Sequence, residues 1–319
     1  MRASHPARAL LAGTVLVAAA CGAEGPPAQQ EAPSEEAAPP PAPTAPPGTD
    51  IWLAHLGRDA SGRLTVTEAV NVTARPGYDN QPAFLPDGSG FYYTVVDESG
   101  QADIWLHRLA GGTASAVTHT APESEYSGTP LPGGGGFSAV RVEADSTQRL
   151  WRFDADGGRA AVILPSLAPV GYHAWVGGDV LVLYVLGDPA TLRVATLPAG
   201  AARTVATDVG RSIQPIPGTS AVSYVQRLAD GSTEIRRLEP ASGASELIVA
   251  GLQGGDFHAW TPDGLLLQAL GSRLFAFRPG VDAAWTEVAD LASEGIQLSR
   301  IAVHPDGTRI ALVGEPSEG

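Results

Sequence analysis

Two segments decide how this chain is read: Pro82-Ala83-Phe84-Leu85-Pro86-Asp87-Gly88, and after it Asp103-Ile104-Trp105-Leu106-His107-Arg108-Leu109. Pro86-Asp87-Gly88 has turn chemistry, since proline presets φ and glycine accepts the left-handed region. The second segment is rich in strand-forming residues and is closed by Gly111-Gly112. Identical turns stand at Pro262-Asp263-Gly264 and Pro305-Asp306-Gly307, and degraded ones at Pro132-Gly133-Gly134, Gly177-Gly178-Asp179 and Pro217-Gly218-Thr219. Counted from Pro86, Pro132, Gly177, Pro217, Pro262 and Pro305, the spacings are 46, 45, 40, 45 and 43 residues. That period is the length of one four-stranded propeller blade.

In the first full unit, residues 81–85, 90–96, 103–109 and 113–119 are expected to form the four strands, inner to outer. The third strands align as Ile51-Trp52, Ile104-Trp105, Leu150-Trp151, Leu192-Arg193, Ile235-Arg236 and Leu274-Phe275. The first of these precedes the first turn. The last turn is followed by residues enough for only one strand, 308–313, whereas segments 50–56 and 64–73 are left over at the other end. Pairing the spare strands with the last blade satisfies the backbone groups an open sheet would expose. The expected fold is all-β, a six-bladed β-propeller over residues 50–319 closed by that pairing. Helical periodicity is absent, and 38 glycines and 27 prolines supply the turns.

The repeat resembles that of the TolB-like propellers, a Pro-x-Phe/Trp-x-Pro-Asp-Gly turn followed by an Asp-Ile-Trp/Tyr strand. Residues 82–88 with Asp103-Ile104-Trp105 match throughout, and His258-Ala259-Trp260-Thr261-Pro262-Asp263-Gly264 matches without the first proline. The resemblance covers everything after residue 50 and implies the fold. Function it implies only broadly, because related propellers serve as periplasmic scaffolds, as accessory domains of peptidases and as binding modules.

Ahead of the repeats, Arg2 and Arg8 precede an uncharged run from Ala9 to Ala20 that ends at Cys21. A basic start and an apolar stretch this short suit an export signal rather than a permanent membrane span. Residues 1–21 resemble a bacterial lipoprotein signal, which implies lipidation of Cys21 and attachment to a membrane; plain secretion is the alternative. Cys21 is the only cysteine, so the fold is expected to stand without disulfides. Residues 22–49 are rich in Pro, Ala and Glu and are expected to form a disordered tether. The address expected is therefore the cell envelope, facing the periplasm or the cell surface, and the partner an envelope protein or peptide met by a monomer.

Motifs for chemistry are mostly missing. The chain contains no Gly-x-Ser-x-Gly elbow, no His-Glu-x-x-His and no phosphate-cradling Gly-Lys-Ser/Thr. Attention therefore falls on the residues leading into the inner strands, which a propeller gathers at one mouth of its central channel. These are Asp79, Asn80 and Gln81; Glu125, Tyr126 and Ser127; Tyr172 and His173; Arg211 and Ser212; Asp256, Phe257 and His258; and Ser299 and Arg300. Convergent polar groups in a concave site are the default ligand-binding candidates.

His173 and His258 occupy matching positions and could join Asp79, Glu125 or Asp256 around a divalent ion, although repeat equivalence alone explains two matching histidines. No cofactor is expected otherwise. Asp97, Glu98, Glu143, Asp145, Asp188, Asp230 and Glu315 add carboxylates to the same face. With a net charge of −14, an acidic mouth that repels nucleic acid and attracts cationic partners is expected. Arg141 and Glu143 are expected to pair locally beside Gln148 and Arg149. Trp52, Trp105 and Trp151 are expected between blades, and Asp154-Ala155-Asp156-Gly157 as a turn. The readings that emerge are a non-catalytic binding scaffold and, as alternative, a metal-dependent hydrolase or lactonase at the channel.

Overall fold

The computed structural model describes residues 46–198 and 200–316. The expected signal, Cys21 and most of the expected tether lie outside them. Thr49, at the end of that tether, is buried, pairs with Tyr78 and donates its hydroxyl to the Asp79 carbonyl at 3.0 Å.

Among the described residues, twenty-four strands form six four-stranded antiparallel sheets. The chain begins with β1 (Asp50–Arg58) and β2 (Leu64–Asn71), which wait for the other terminus. Blade 1 is β3 (Tyr78–Phe84), β4 (Gly90–Val96), β5 (Ala102–Arg108) and β6 (Thr113–Ala116). Blade 2 is β7 (Ser124–Pro130), β8 (Gly136–Val142), β9 (Gln148–Asp154) and β10 (Ala161–Val162). Blade 3 runs through β11 (Val170–Val176), β12 (Val180–Val185), β13 (Thr191–Thr196) and β14 (Ala202–Thr207). Blade 4 comprises β15 (Val209–Pro215), β16 (Val222–Arg227), β17 (Thr233–Leu238) and β18 (Ser245–Ala250). Blade 5 contains β19 (His258–Trp260), β20 (Leu266–Leu270), β21 (Arg273–Phe277) and β22 (Thr286–Asp290). The last blade has β23 (Ile296–Val303) innermost and β24 (Arg309–Pro316) second, and β1 and β2 complete it in the order β2-β1-β24-β23. The expected closure is thus formed, in a register that runs from Asp50 opposite Gly314 to His55 opposite Arg309.

The repeated turns hold by the same bond. Gly88, Gly134, Gly264 and Gly307 each donate their N–H to the carbonyl three residues back. At Gly88 φ is +71°, and a Cβ would lie 2.6 Å from Cε1 of His304, so both backbone and space demand glycine. His304 belongs to the closing blade and binds the Gly88 carbonyl through Nε2 at 2.9 Å, a polar stitch across the seam. Asp154–Gly157 is a turn, with Gly157 donating to the Asp154 carbonyl at 2.9 Å.

Burial follows the blades. Each second strand is nearly all inside, as in β4, where all seven residues are buried. Apolar clusters fill the spaces between neighbouring blades: Ile51 with Phe91 and Tyr93 across the seam, Ile104 with Phe137 and Phe153, Leu150 with Leu181 and Leu183. Trp52, Trp105 and Trp151 pack against these clusters as expected. The expected Arg141–Glu143 pair is replaced by two others. Arg141 bonds Glu125, its cross-strand neighbour, at 2.7 Å, and Glu143 takes Arg149, because both carboxylates find closer partners across a ladder than along a strand.

One local feature positions everything that follows. Five inner strands carry a register shift at the same level: between Asn80 and Ala83, Tyr126 and Thr129, Val170 and Tyr172, Val209 and Ile213, and Leu298 and Arg300. Gln81 and Ser127 sit in two of these bulges at φ 60° and 57°. Such left-handed conformations cost of order 1–3 kcal/mol and persist where surrounding structure enforces them. A bulge inserts a residue and re-aims side chains, here at the mouth of the channel.

Candidate functional site

The inner strands of all six blades enclose a cavity of about 410 Å³. That size lies within the range of small-molecule sites. Of the residues singled out from the sequence, Gln81, Ser127, Tyr172, His173, Arg211, Ser212, Phe257, His258 and Arg300 line it. Asp79, Asn80, Glu125, Tyr126, Asp256 and Ser299 do not.

The displaced carboxylates are each paired nearby. Asp79 is fully buried and accepts from Arg75 Nη2 at 2.7 Å. Burial pushes its pKa up to about 6, against the downward pull of Arg75. Asn80 bonds Thr49 and the Gln81 N–H instead of facing the channel. Glu125, also fully buried, holds Arg141 Nε at 2.7 Å and Thr120 Oγ1 at 2.6 Å, and the Arg141 guanidinium lies 4.7 Å from the Trp151 ring centroid. Removing one charge of such a buried pair strands the other, at about 3–5 kcal/mol. Asp256 meets Arg227 at 3.3 Å.

The acidic mouth expected from net charge is therefore corrected at its centre. The cavity wall carries Arg211 and Arg300 and, among the described residues, no carboxylate. Charge survives on the loops outside: Asp97 and Asp230 accept from the hydroxyl and the backbone N–H of Ser99 and Ser232, and Asp145 from the backbone N–H of Thr147, which holds their pKa values low. Those bonds are turn chemistry, and they leave an ionised rim around a cationic interior.

The two histidines prove to be parts of a repeated tie between blades. His173 Nε2 lies 2.6 Å from Ser138 Oγ, which also accepts Trp175 Nε1 at 2.9 Å. His258 Nε2 lies 2.7 Å from Ser223 Oγ, which accepts Trp260 Nε1 at 2.8 Å. The serine comes from the second strand of blades 2 and 4, the histidine and tryptophan from the inner strand of blades 3 and 5. Ser138 Oγ also lies 3.4 Å from the Thr129 carbonyl and Ser223 Oγ 3.3 Å from the Gln214 carbonyl, so each hydroxyl can donate either to Nε2 or to a carbonyl. Nδ1 of both histidines has no partner among the described residues. Burial lowers both pKa values to about 3, so the rings are neutral.

This is not a nucleophile and its base. Ser138 and Ser223 are fully buried and outside the cavity wall, and no carboxylate orients either ring. Nor do the histidines gather Asp79, Glu125 or Asp256, which are engaged as above. Among the described residues no group of three His, Cys, Asp or Glu side chains stands close enough to hold a metal ion.

At the mouth, Arg300 lies flat on Phe257, with Cζ 3.7 Å from the ring centroid, and 5.2 Å from that of Tyr172. Its Nη2 reaches the Tyr172 hydroxyl at 3.4 Å, while its buried Nε has no partner. Tyr78 adjoins the same cluster: burial raises its pKa to about 12, and Arg300, Tyr172, Tyr126 and Arg211 are the charges and hydroxyls that act on it.

No family model matches the chain, and no curated protein does. Solved structures do match. A TolB-type protein of Agrobacterium tumefaciens superposes with a TM-score of 0.65 at 14% identity, over 84% of this chain and 98% of that one. TolB of Acinetobacter baumannii gives 0.56 at 12% identity over 84% of this chain. The fold is that of a TolB-like propeller. The match spans 65% of the length of the Acinetobacter protein. A chain of a nidogen/laminin complex is similar as well, with a TM-score of 0.59 at 15% identity over 85% of this chain and all of that one. At such identities the likeness concerns architecture, and function must come from the site.

In this TolB-like propeller, sequence reading passed over Tyr78, Trp175 and Trp260 as parts of the mouth or its supports. Trp175 and Trp260 were legible: both stand two residues after a matching histidine, hence on the same side of an inner strand. Ser127 is aimed by its bulge, which no alternation of residue types announces.

Proposed function

We propose that this TolB-like propeller is an exported, non-catalytic binding module whose channel mouth holds a small polar ligand or the end of a peptide. One observation carries the reading. Of the seven buried side-chain polar atoms without partners among the described residues, four, Ser127 Oγ, His173 Nδ1, His258 Nδ1 and Arg300 Nε, belong to residues of one cavity wall, and Asp79 Oδ2, His107 Nδ1 and Thr233 Oγ1 lie outside it. Buried polar atoms are normally satisfied, so a set of open ones around a cavity is hydrogen-bonding capacity reserved for a guest. The wall supplies neither an acid–base pair nor an activated nucleophile, which favours binding over turnover. Export and attachment rest on the sequence around Cys21, and the partner class, an envelope protein, peptide or small molecule, on that address.

Thermal melts of the full chain against a library of polar metabolites and short peptides test the module. A ligand at about a hundred times its Kd adds about 2.7 kcal/mol, a rise of roughly 5 °C, and is recovered unchanged. Consumption of the bound compound would show an enzyme instead. For the address, metabolic labelling with a radioactive fatty acid in a bacterial host is expected to mark the protein and to fail for Cys21→Ser; equal labelling of both removes the lipoprotein reading.

A further inference from the structure

We propose that the channel mouth recognises a carboxylate, held by Arg300 and Arg211, on a compact ligand that carries a single such group. The inference rests on the binding-module reading and specifies what the ligand bears.

The first argument is charge. The chain has 34 acidic residues against 20 basic ones, and ten of the eighteen arginines among the described residues form ion pairs. Ion pairs engage Arg58, Arg75, Arg141, Arg149, Arg159 and Arg227 among others, yet neither Arg211 nor Arg300 forms one among the described residues. Both line the same cavity. Asp256, adjacent in sequence to Phe257, is drawn to Arg227 and leaves Arg300 free of it.

The second is geometry. Arg300 is clamped by stacking on Phe257 and by its contact with Tyr172, so its planar fork is fixed before a ligand arrives. Its buried Nε–H is open, and an Nε–H with a neighbouring Nη–H is the edge that a carboxylate takes bidentately. A preorganised donor pair loses little side-chain entropy on binding.

The third is the sign of the open hydrogen-bonding groups. Burial keeps the imidazoles of His173 and His258 neutral, so at neutral pH they add no charge to that of the two guanidiniums. A wall with two guanidiniums and no carboxylate among the described residues asks for a guest rich in acceptors. Tyr172 and Phe257 add apolar surface beside the fork, suited to the body that bears the acid. The ionised loops around the mouth, with Asp97, Asp145 and Asp230, oppose a polyanion and so favour one negative charge on a small frame.

Matched acids and amides supply the test, read by calorimetry and by the fluorescence of Trp175 and Trp260 in the cavity wall. N-acetyl-L-phenylalanine is compared with its amide, and N-acetyl-Ala-Ala-Phe with its C-terminal amide. Each acid is expected to bind about tenfold or more tightly than its amide, and Arg300→Gln and Arg211→Gln each to remove that difference. Arg300→Lys should restore only part of it, because a point charge lacks the fork. Arg211 is exposed, so its variant keeps the fold and guards against misfolding as the cause of loss. A tripeptide acid that binds more tightly than the amino-acid derivative identifies a chain terminus as the source; equal affinity identifies a free small acid. Amides that bind as well as acids, acids that fail to bind at about 5 mM, or variants that keep the preference overturn the proposal. A neutral metabolite that stabilises the protein in the library melts leaves the binding module standing while the carboxylate inference falls.

Discussion

Deleting residues 46–73 is expected to abolish cooperative thermal unfolding. The deletion removes β1 and β2, the two outer strands of the closing blade, and with them Ile51, Trp52, Ala54, Leu56 and Leu64, all buried. It also bares the edge of β24, whose backbone pairs with β1 from Asp50 to His55. Two interblade clusters lose a wall at once: Ile51 packs with Phe91 and Val313, Trp52 and Leu56 with Leu267 and Leu312. Full burial of each large apolar side chain is worth about 1.5–3 kcal/mol, so the four large ones sum to about 6–12 kcal/mol, comparable to the 5–15 kcal/mol that stabilises an ordinary domain. The measurement is a calorimetric scan with near-ultraviolet circular dichroism; a truncated chain that melts as sharply as the parent would show that closure contributes nothing. A graded control is Ile51→Ala, which should cost about 2–5 kcal/mol and leave the transition cooperative.

That closure was legible in the sequence because it follows from counting. A turn repeated every 40 to 46 residues fixes the number of blades, and Ile51-Trp52 aligned with Ile104-Trp105 places β1 as a third strand before any second strand exists to receive it. The middle strand bounds came out close, since 90–96 for β4 is the observed span and β5 is displaced by one residue, whereas β3 begins three residues before the expected 81 and β6 ends three before the expected 119.

The mouth was legible only by half, for two physical reasons. Alternation assumes that a strand keeps its pleat, and the bulges at Gln81, Ser127, Tyr172 and Arg300 break it where the candidates lie. One inserted residue exchanges the side chain that faces the channel for its neighbour, so Gln81 enters the wall and Asn80 leaves it. Net charge is the other reason. It averages over the chain, but each carboxylate chooses the arginine within reach, as Glu125 chooses its cross-strand partner Arg141. Neutralised pairs drop out of the local field, and what remains at the centre is whichever charge was left unpaired, here Arg211 and Arg300.

The same wall makes the fold acid-labile. His173 and His258 titrate near 6.5 when the chain is unfolded, but burial holds them near 3 when it is folded. Below pH 6.5 the unfolded state therefore binds two protons that the native state refuses, and stability falls with falling pH. Asp79 works in the opposite direction: its folded pKa of about 6 lies above the ordinary 3.8, so the native state takes up a proton between those values and regains stability on acidification. From pH 7 to pH 4.5 the two histidines cost about 5 kcal/mol together and Asp79 returns about 2, a net loss of about 3 kcal/mol. His107, also lowered by burial, adds to the loss. Urea titrations at a series of pH values measure this directly. The variant with His173→Gln and His258→Gln keeps a neutral polar group at each tie and should show a nearly flat or rising profile over the same range, whatever its stability at pH 7. A parent whose stability is unchanged between pH 7 and 4.5 would mean that the rings accept protons in place and that burial does not hold them neutral. Burial between blades 2 and 3 and between blades 4 and 5 thus explains why the imidazoles stay neutral, and it sets the cost of protonating them as the pH falls.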